Sequence, residues 1–195
     1  MYMVARVEDV IRIPPRYFHL PLKEAALRVL RERYEGMVDK DLRAIIVTVL
    51  DVEVEELGRI VPGDSGTWHH AVFDLLLFKP EPNEVVEGRV TDMAEHGIFV
   101  NLGPIDGYIH VSQISPSGRR VVIDPNQQIA IEEGTNRVLR KNDIVRAKIQ
   151  AVSFRGAGPL RRPRIGLTMR GWLLGKLEWI MEELKKAGAL QEAKG

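Results

Sequence analysis

The stretch HGIFVNLGPIDGYIHVSQIS (residues 96–115) decides the fold of the second half of the chain. Apolar and polar residues alternate within it on both sides of an Asp-Gly dipeptide, which is typical of hairpin turns, and this pattern predicts two short antiparallel strands. Successive side chains of a strand point to opposite faces, so the apolar residues of the pair belong to a core. Phe99, Tyr108 and His110 then point outward, where an ordinary half-buried hairpin carries inert polar residues.

Five strand patterns, including this pair, follow one another in the second half of the chain. Five short strands with glycine at the bends predict an OB barrel, whose exposed strands and loops commonly bind oligonucleotides. Gly88, inside the first of them, suits the sharp coil that closure of a barrel needs. An insert, residues 116–142, is long enough to hold a hairpin of its own. The predicted strands are 85–92, 98–102, 107–111, 143–152 and 164–169.

The last two predicted strands of the barrel carry outward cations. Alternation directs Arg146 and Lys148 outward on the fourth strand, and Arg164 and Thr168 outward on the fifth. Flat side chains on which bases stack, beside cations that follow the phosphates, are the combination that single-stranded nucleic acid requires. For each of these residues the alternative is packing beneath a neighbouring loop or domain, and for Tyr108 we favour that alternative.

Charge is distributed unevenly along the chain, although the formal net charge is only +1. Residues 1–83 hold 11 basic and 14 acidic side chains, whereas residues 84–170 hold 13 basic and 9 acidic ones. Eleven of those 13 are arginine, which binds phosphate in a bidentate manner and stacks on bases. A solvated basic face is the alternative interpretation, but the arginine content favours a polyanionic partner for this half.

The first half of the chain predicts a small α+β unit, in which one helix packs on an antiparallel sheet. Residues 1–13 alternate as a strand. Pro21 opens an amphipathic helix that ends near Gly36, with proline suited to the first turn and glycine to the end. Two further strand patterns follow, at residues 42–57 and 71–78.

The segment KPEPNE (residues 79–84) separates the two halves. It has two prolines and no apolar residue, and this composition predicts a domain boundary. We therefore expect a first domain over residues 1–80, an OB domain over residues 81–170 and a helical tail over residues 171–195. The tail contains an amphipathic stretch, residues 172–186, that predicts a docking helix.

Composition excludes several kinds of site. The chain has no cysteine, which excludes disulfides, thiolate nucleophiles and cysteine metal sites, and it has no apolar run as long as a membrane span. We expect a cytoplasmic protein without a secretory leader, a metal site or a cofactor. The motif GDSG (residues 63–66) resembles the nucleophile motif of trypsin-like proteases, but a tight turn explains it better because too little chain precedes it. No arrangement of carboxylates or nucleophiles supports an enzyme.

Residues 85–115, together with LRKNDIVRAKIQAVS and RIGLTMR further on, resemble the RNA-binding OB domain named after ribosomal protein S-one. In that domain the bound strand crosses aromatic positions of the second strand, a histidine of the third and basic residues of the last strands. The first aromatic position is a histidine here. The residues that match the spacing of the domain are Gly88, Val90, Gly97, Phe99, Val100, Gly107, His110 and Ser112.

This resemblance implies that Phe99, His110 and Arg164 contact RNA, with His96 at the first aromatic position. It adds to the outward residues found by alternation. The predicted RNA-binding residues are therefore His96, Phe99, Tyr108, His110, Arg146, Lys148 and Arg164.

The resemblance extends over the chain from residue 1 to about residue 184. MYMVARVEDVIRIPP, PLKEAALRVL and the closing RIGLTMRGWLLGKLEWI are similar to the E-prime subunits of archaeal RNA polymerase, a family related to the seventh subunit of eukaryotic RNA polymerase II. Members of that family pair a truncated ribonucleoprotein-like tip domain with a C-terminal RNA-binding OB domain.

The family resemblance implies a noncatalytic stalk subunit. Such a protein forms a heterodimer with the small F subunit of RNA polymerase, docks by its tip domain on the polymerase core near the clamp, and binds emerging single-stranded RNA. The OB domain alone leaves an alternative, a free-standing RNA-binding factor in translation initiation or RNA decay. The residues predicted to dock on the core are Arg59, Ile60, Val61, Pro62, Gly63 and Asp64.

Overall fold

The computed structural model describes residues 1–154 and 163–192. These residues form two compact units, one over Met1–Lys79 and one over the described residues from Pro80 onward. The first unit is an antiparallel sheet with one helix, and the second contains a closed five-stranded barrel, a small sheet and a C-terminal helix. The predicted fold class is confirmed.

The first unit contains β1 (Tyr2–Ile13), α1 (Leu22–Tyr34), β2 (Val38–Asp39), β3 (Ala44–Val54), β4 (Arg59–Ile60) and β5 (Thr67–Phe78). Its strands lie in the order β1-β5-β3-β2, and the short β4 pairs with the beginning of β5. β1 and β5 pair along their whole length, from Tyr2 opposite Phe78 to Ile13 opposite Thr67. β5 therefore lies in the interior of the sheet, between β1 and β3.

The helix α1 begins directly after Pro21, as predicted, and the chain leaves it through Gly36 at a φ of +78°, a conformation that glycine adopts without strain. Ala25, Ala26 and Leu30 form its buried face against the sheet. The two alanines allow the helix to lie close to the strands. Complete burial of Leu30 contributes about 1.5–3 kcal/mol to stability.

Two irregularities in the pairing of β3 with β5 change which of its side chains are buried. Strict alternation would place Leu50 on the same face as Val52. The register shifts before Thr48 and again after Val49. Val49 and Val52 are therefore both buried, while Leu50 is 47% exposed. Bulges of this kind break the period of two on which a prediction from sequence depends.

The second unit contains β6 (Val85–Ala94), β7 (Gly97–Asn101), β8 (Asp106–His110), β9 (Val121–Asp124), β10 (Ile129–Glu132), β11 (Val138–Arg140), β12 (Ile144–Ser153), β13 (Arg164–Thr168), β14 (Gly175–Lys176) and α2 (Leu177–Glu192). The barrel order is β13-β8-β7-β6-β12, and the barrel closes because β13 also pairs with β12. The insert forms its own antiparallel sheet, β11-β10-β9. All five predicted barrel strands are present.

Gly88 permits the close approach that the barrel needs. A Cβ atom on Gly88 would lie 2.4 Å from the backbone oxygen of Asn101 and 2.6 Å from a methyl carbon of Val100. Real side chains do not tolerate such distances, so only glycine fits at this crossing of β6 and β7.

One predicted outward residue of the barrel is buried. Thr168 at the end of β13 is 5% exposed, not outward as alternation predicted. The turn that follows β8 covers it, and the Thr168 hydroxyl donates a 2.8 Å hydrogen bond to the side-chain oxygen of Gln113 in that turn. The inward-facing residues of β12 and β13, and the residue that follows β13, are buried, namely Val145, Ala147, Ile149, Ile165, Leu167 and Met169.

The C-terminal helix begins at Leu177, five residues later than residue 172, where the pattern predicted it. Gly171 and Gly175 have φ values of +142° and +122°, which a helix cannot contain. α2 buries Trp179 and Ile180. Among the described residues, no helix is long and apolar enough to cross a membrane.

Candidate nucleic-acid interface

Two outward aromatic residues of the barrel lie side by side on neighbouring strands. Phe99 on β7 is directly opposite Tyr108 on β8. Their ring centroids are 5.3 Å apart, with 52° between the ring planes. Phe99 is 36% exposed and Tyr108 is half-buried, so the two rings form one aromatic surface that solvent reaches. Paired rings with these tilts stabilise each other in addition to burying area.

A hydrogen bond and a glycine fix the orientation of Tyr108. Its hydroxyl donates to the backbone oxygen of His96 at 2.9 Å. A Cβ atom on Gly97 would lie 2.6 Å from the end of the tyrosine ring and 2.4 Å from the backbone oxygen of Ile109. Tyr108 therefore packs against Gly97 and Phe99 of the neighbouring strand and is bonded to the residue before that strand. The interpretation favoured from the sequence, that it packs beneath a loop or domain, stays a prediction.

A cleft of about 370 Å³ opens beside the aromatic pair. Gly166 on β13 is the residue beside Tyr108 in the parallel pair of β8 and β13, and its lack of a side chain leaves space there. Arg164 and Asp106 bring opposite charges to the cleft. A base can stack on the rings, Arg164 can bind a phosphate, and the Asp106 carboxylate can accept a hydrogen bond from an amino group.

His110 lies two residues beyond Tyr108 on β8, opposite Gly97, and it is exposed. Its Nδ1 atom accepts a 3.3 Å hydrogen bond from the backbone N–H of Ser112 and is 2.9 Å from the Ser112 hydroxyl. These contacts use the Nδ1 atom and hold the ring at the edge of the aromatic surface. His110 thus lies on the same face as Phe99, as predicted.

Arg146 and Lys148 lie apart from the aromatic pair. Both are on β12, which β6 separates from β7 and β13 separates from β8. Two contacts of 2.7 and 2.9 Å join the Arg146 guanidinium to the Glu87 carboxylate, which partly neutralises its charge. The structure therefore brings Phe99, Tyr108 and Arg164 together but leaves these two predicted cations on another side of the barrel.

His96 lines a second cleft, of about 550 Å³, between the barrel and the insert. Among the described residues, those that line the cleft beside the aromatic pair do not include His96, although its backbone oxygen holds Tyr108. Three arginines that the sequence prediction did not select, Arg119, Arg120 and Arg170, line the second cleft with His96. The adjacent pair at 119–120, inside an insert of a basic domain, is the sequence signal that points to them.

The predicted docking loop of the first unit exposes apolar side chains. Ile60 on β4 is 77% exposed and Val61 is 46% exposed. Leu57, which precedes β4 and was not selected from the sequence, is 90% exposed. Arg59 and the turn at residues 62–63 are exposed beside them. Apolar surface of this kind is typical of an interaction site.

Asp64, in contrast, holds the loop in place through hydrogen bonds to its own unit. Its carboxylate accepts hydrogen bonds from the Arg12 guanidinium at 2.5–3.0 Å, from the Gly66 backbone N–H at 3.0 Å and from the Trp68 indole N–H at 3.0 Å. The hydrogen bond from Arg12, followed by that from Gly66, holds the pKa of Asp64 well below its ordinary value. These contacts give Asp64 a role in the shape of the loop, and its contact with the core stays a prediction.

The adjacent histidines of the first unit, His69 and His70, point to opposite faces of their strand. His69 is 6% exposed, with its ring nitrogens 2.9 Å from the Glu55 backbone oxygen and 3.0 Å from the Thr67 hydroxyl. His70 instead meets Glu8 at 2.6 Å on the surface. Across residues 1–154 and 163–192, no group of three or more His, Asp and Glu side chains is arranged to hold a metal ion.

Comparison with known families matches both units. Residues 8–66 match the SHS2 domain found in the N terminus of Rpb7p, Rpc25p and MJ0397. Residues 79–157 match the S1 RNA-binding domain. The second match includes β6, β7 and β8 and therefore Phe99, Tyr108, His96 and His110, and it also includes the insert.

Curated relatives are similar over nearly the whole chain. Subunit Rpo7 of DNA-directed RNA polymerase from Sulfolobus acidocaldarius is 37% identical over 96% of this chain and 99% of the relative. Rpo7 from Saccharolobus solfataricus is 42% identical over 95% of this chain and 100% of the relative. A eukaryotic relative, subunit rpb7 of RNA polymerase II from Schizosaccharomyces pombe, is 27% identical over 76% of this chain and 85% of the relative.

Proposed function

The chain belongs to the Rpo7 family of noncatalytic DNA-directed RNA polymerase subunits, and we propose that it is a stalk subunit that docks on the polymerase core and binds the emerging transcript. In this proposal the first unit contacts protein and the second contacts single-stranded RNA. The excess of acidic residues in residues 1–83 and of basic residues in residues 84–170 supports this division.

The observation that carries the RNA half of the proposal is the Phe99–Tyr108 pair beside the cleft that contains Arg164. Stacking of one base on an aromatic side chain contributes about 1–3 kcal/mol and depends little on which base it is. A subunit that meets every transcript needs this tolerance. Arg164 and His110, on either side of the rings, hold the strand through phosphate or base contacts.

The docking half of the proposal rests on the exposed apolar side chains of Leu57, Ile60 and Val61. Burial of such side chains against the core would give docking its main favourable energy. Asp64 and Arg12 hold the loop in shape beneath them. A subunit wedged at the clamp biases the clamp position if it binds one position more tightly than the other.

Pairing with the small F subunit of the polymerase needs a further apolar surface. Tyr2 and Val4 on β1 are 53% and 57% exposed, and Met181 and Leu184 on α2 are 59% and 48% exposed. Exposed apolar residues grouped on one element are typical of subunit interfaces. We propose these two sets as the residues that the F subunit covers. We also propose that the assembled heterodimer acts in the cytoplasm.

The test is an affinity purification of a tagged full-length chain from native extract, with mass spectrometry of the proteins recovered with it. The proposal predicts recovery of the large polymerase subunits together with a small partner in equal amounts. Recovery of ribosomal or exonuclease proteins without polymerase would contradict it and would favour the free-standing RNA-binding factor. The match of residues 8–66 to the SHS2 domain supports the polymerase subunit over that alternative.

A further inference from the structure

Three arginines, Arg119, Arg120 and Arg170, line the second cleft of the barrel unit, which we call the arginine cleft. It measures about 550 Å³ and lies between the turn after β8 and the first strand of the insert. Arg119 and Arg120 enter it from the insert, Arg170 from the chain after β13, and His96 from the chain before β7. Glu95 is the acidic residue that shares the lining.

A buried hydrogen-bond network holds the backbone at Arg119 in place. The Ser115 hydroxyl is buried, accepts a 3.0 Å hydrogen bond from the Arg119 backbone N–H and donates to the buried Glu132 carboxylate. Gly118 turns the chain at a φ of +78° just before Arg119. A guanidinium on a fixed backbone loses less conformational freedom on binding than one on a mobile loop.

Arg170 is held from the other side of the cleft. Its backbone N–H donates a 3.0 Å hydrogen bond to the Thr168 hydroxyl, which in turn donates to Gln113. The Arg170 guanidinium lies close to Gly118, because a Cβ atom there would be 3.6 Å from its Nη2 atom. Arginines from two separate parts of the chain therefore line one cleft.

The charges in the cleft are mostly not neutralised by the protein. Among the ion pairs of the described residues, none includes Arg119 or Arg170, and the Arg119 guanidinium donates a 3.4 Å hydrogen bond to the neutral backbone oxygen of Gly134. Arg120 meets Glu133 at 3.7 Å, with side chains 80% and 52% exposed, and a contact so exposed neutralises little. Three arginines facing Glu95 leave a net positive cleft that fits a polyanion.

His96 connects this cleft to the aromatic pair. Its backbone oxygen accepts hydrogen bonds from the Tyr108 hydroxyl and from the Val111 N–H, both at 2.9 Å. The same residue lines the arginine cleft. A strand that stacks on Phe99 and Tyr108 and continues past His110 therefore reaches the arginines next.

We propose that the arginine cleft binds backbone phosphates of the same single-stranded RNA that stacks on the aromatic pair, so that the RNA site extends from the barrel onto the insert. This inference rests on the proposed RNA-binding function and extends its site. Arginine is suited to the role because its guanidinium binds phosphate oxygens in a bidentate manner. The contribution of these phosphate contacts to RNA affinity is independent of base sequence and depends on salt. It requires an RNA long enough to cover both the aromatic pair and the arginine cleft.

The test measures binding of two RNAs, of about 4 and about 12 nucleotides, within the range of lengths that one OB fold covers. The variant Arg119→Gln/Arg170→Gln is compared with Arg16→Gln/Arg28→Gln, which makes the same change of charge in the first unit. Both pairs are on the surface, so the thermal unfolding midpoint serves as a control for folding.

The cleft variant is expected to lose about tenfold in affinity for the longer RNA and little for the shorter one. Its salt dependence falls by about 1.4 in the slope of log K against log salt, as expected for two lost phosphate contacts on a single strand. The control variant keeps the affinity and the slope of the unmodified chain.

Equal binding of the longer RNA by the cleft and control variants would overturn the inference. So would an equal loss for both RNAs, because the effect would then not depend on an extended strand. If the cleft variant binds RNA normally but recovers fewer polymerase subunits in the affinity purification, the cleft binds a protein and the inference is also overturned. If the unmodified chain binds neither RNA, the proposed RNA-binding function itself is what fails.

Discussion

The hydroxyl of Tyr108 donates a 2.9 Å hydrogen bond to the backbone oxygen of His96, the residue that precedes β7. The bond holds the tyrosine ring over Gly97 and beside Phe99. Because the Val111 N–H donates to the same oxygen, one carbonyl group joins the aromatic pair to the turn that borders the arginine cleft. The shape of the candidate RNA site thus depends on this contact between β8 and the chain before β7.

Tyr108→Phe removes this hydrogen bond and keeps the ring. We expect the free energy of unfolding to fall by about 0.5–1.5 kcal/mol, the usual net contribution of a hydrogen bond. RNA affinity should fall less than in Tyr108→Ala, since the stacking surface remains. Urea denaturation and RNA titration of both variants measure the two effects. An equal loss of RNA affinity in the two variants would show that stacking on the ring is not its role.

Phe99→Ala together with His110→Ala removes the exposed ring and the histidine beside it. Loss of one stacked base costs about 1–3 kcal/mol, so we expect RNA affinity to fall roughly 5- to 150-fold with the fold unchanged. Ile144→Ala is the matched control, because Ile144 is a 43% exposed apolar residue on β12 of the same barrel. RNA affinity that is unchanged in the double variant would exclude the stacking proposal.

Gly97→Ala places a Cβ atom 2.4 Å from the Ile109 backbone oxygen and 2.6 Å from the Tyr108 ring. We expect overpacking to lower the free energy of unfolding by about 1–3 kcal/mol and to displace the ring. Gly166→Ala is the control for stability, because its Cβ would meet other atoms only at 3.7 Å or more. Thermal or urea unfolding compares the two. Similar stability of both variants would contradict the packing described for Gly97.

Asp64→Asn tests whether the Asp64 charge stabilises the docking loop, through the pH dependence of the free energy of unfolding. The folded-state pKa of Asp64 is lowered, chiefly by the hydrogen bond from Arg12, from an ordinary value of 3.8. Between the folded and unfolded pKa values the unfolded state binds more protons, so stability rises with pH. The contribution of the ionised Asp64 carboxylate to the free energy of unfolding is complete at neutral pH and is lost as pH falls below about 4.

We therefore expect the difference in free energy of unfolding between the unmodified chain and Asp64→Asn to be largest above about pH 5 and to shrink toward about pH 2. Urea denaturation across this range measures it. A difference that stays constant with pH would mean that the Asp64 charge does not stabilise the loop.

Ile60→Asp tests docking on the polymerase core. A charge in the centre of an apolar contact is costly to bury, so we expect at least tenfold less polymerase recovered with the tagged chain, with RNA affinity unchanged. Leu50→Asp is the control, because Leu50 is an exposed apolar residue of the same sheet. It lies on β3 beside the far end of β5, whereas β4 pairs with the beginning of β5. Equal recovery with both variants would place the core contact elsewhere.

The strands of the barrel were predictable because one face of each is buried, so the period of two is strong. The same alternation gave the outward directions of Phe99 and His110, and a hairpin joins their strands. It failed at Thr168, where the turn containing Gln113 covers a position that faces outward. A cover supplied by a distant segment leaves no trace in the pattern of the strand itself.

The grouping of the charged residues was not predictable from alternation. Whether Arg146 lies near Phe99 depends on the order of strands around the closed barrel, and β6 separates their strands. The arginine cleft joins Arg119 and Arg170, which are distant in sequence and come from an insert and the chain after the last barrel strand. The sequence shows that the region is basic, and only the closure of the barrel shows which cations meet.

The most direct test of the central claim is photocrosslinking in an assembled polymerase that contains the full-length chain. A transcript with one photoreactive nucleotide just beyond the exit of the core is crosslinked, and the modified peptides are identified by mass spectrometry. We expect crosslinks within residues 97–110, and fewer of them in Phe99→Ala/His110→Ala. Crosslinks to other subunits alone, in complexes that retain the chain, would contradict an RNA-binding role for the barrel.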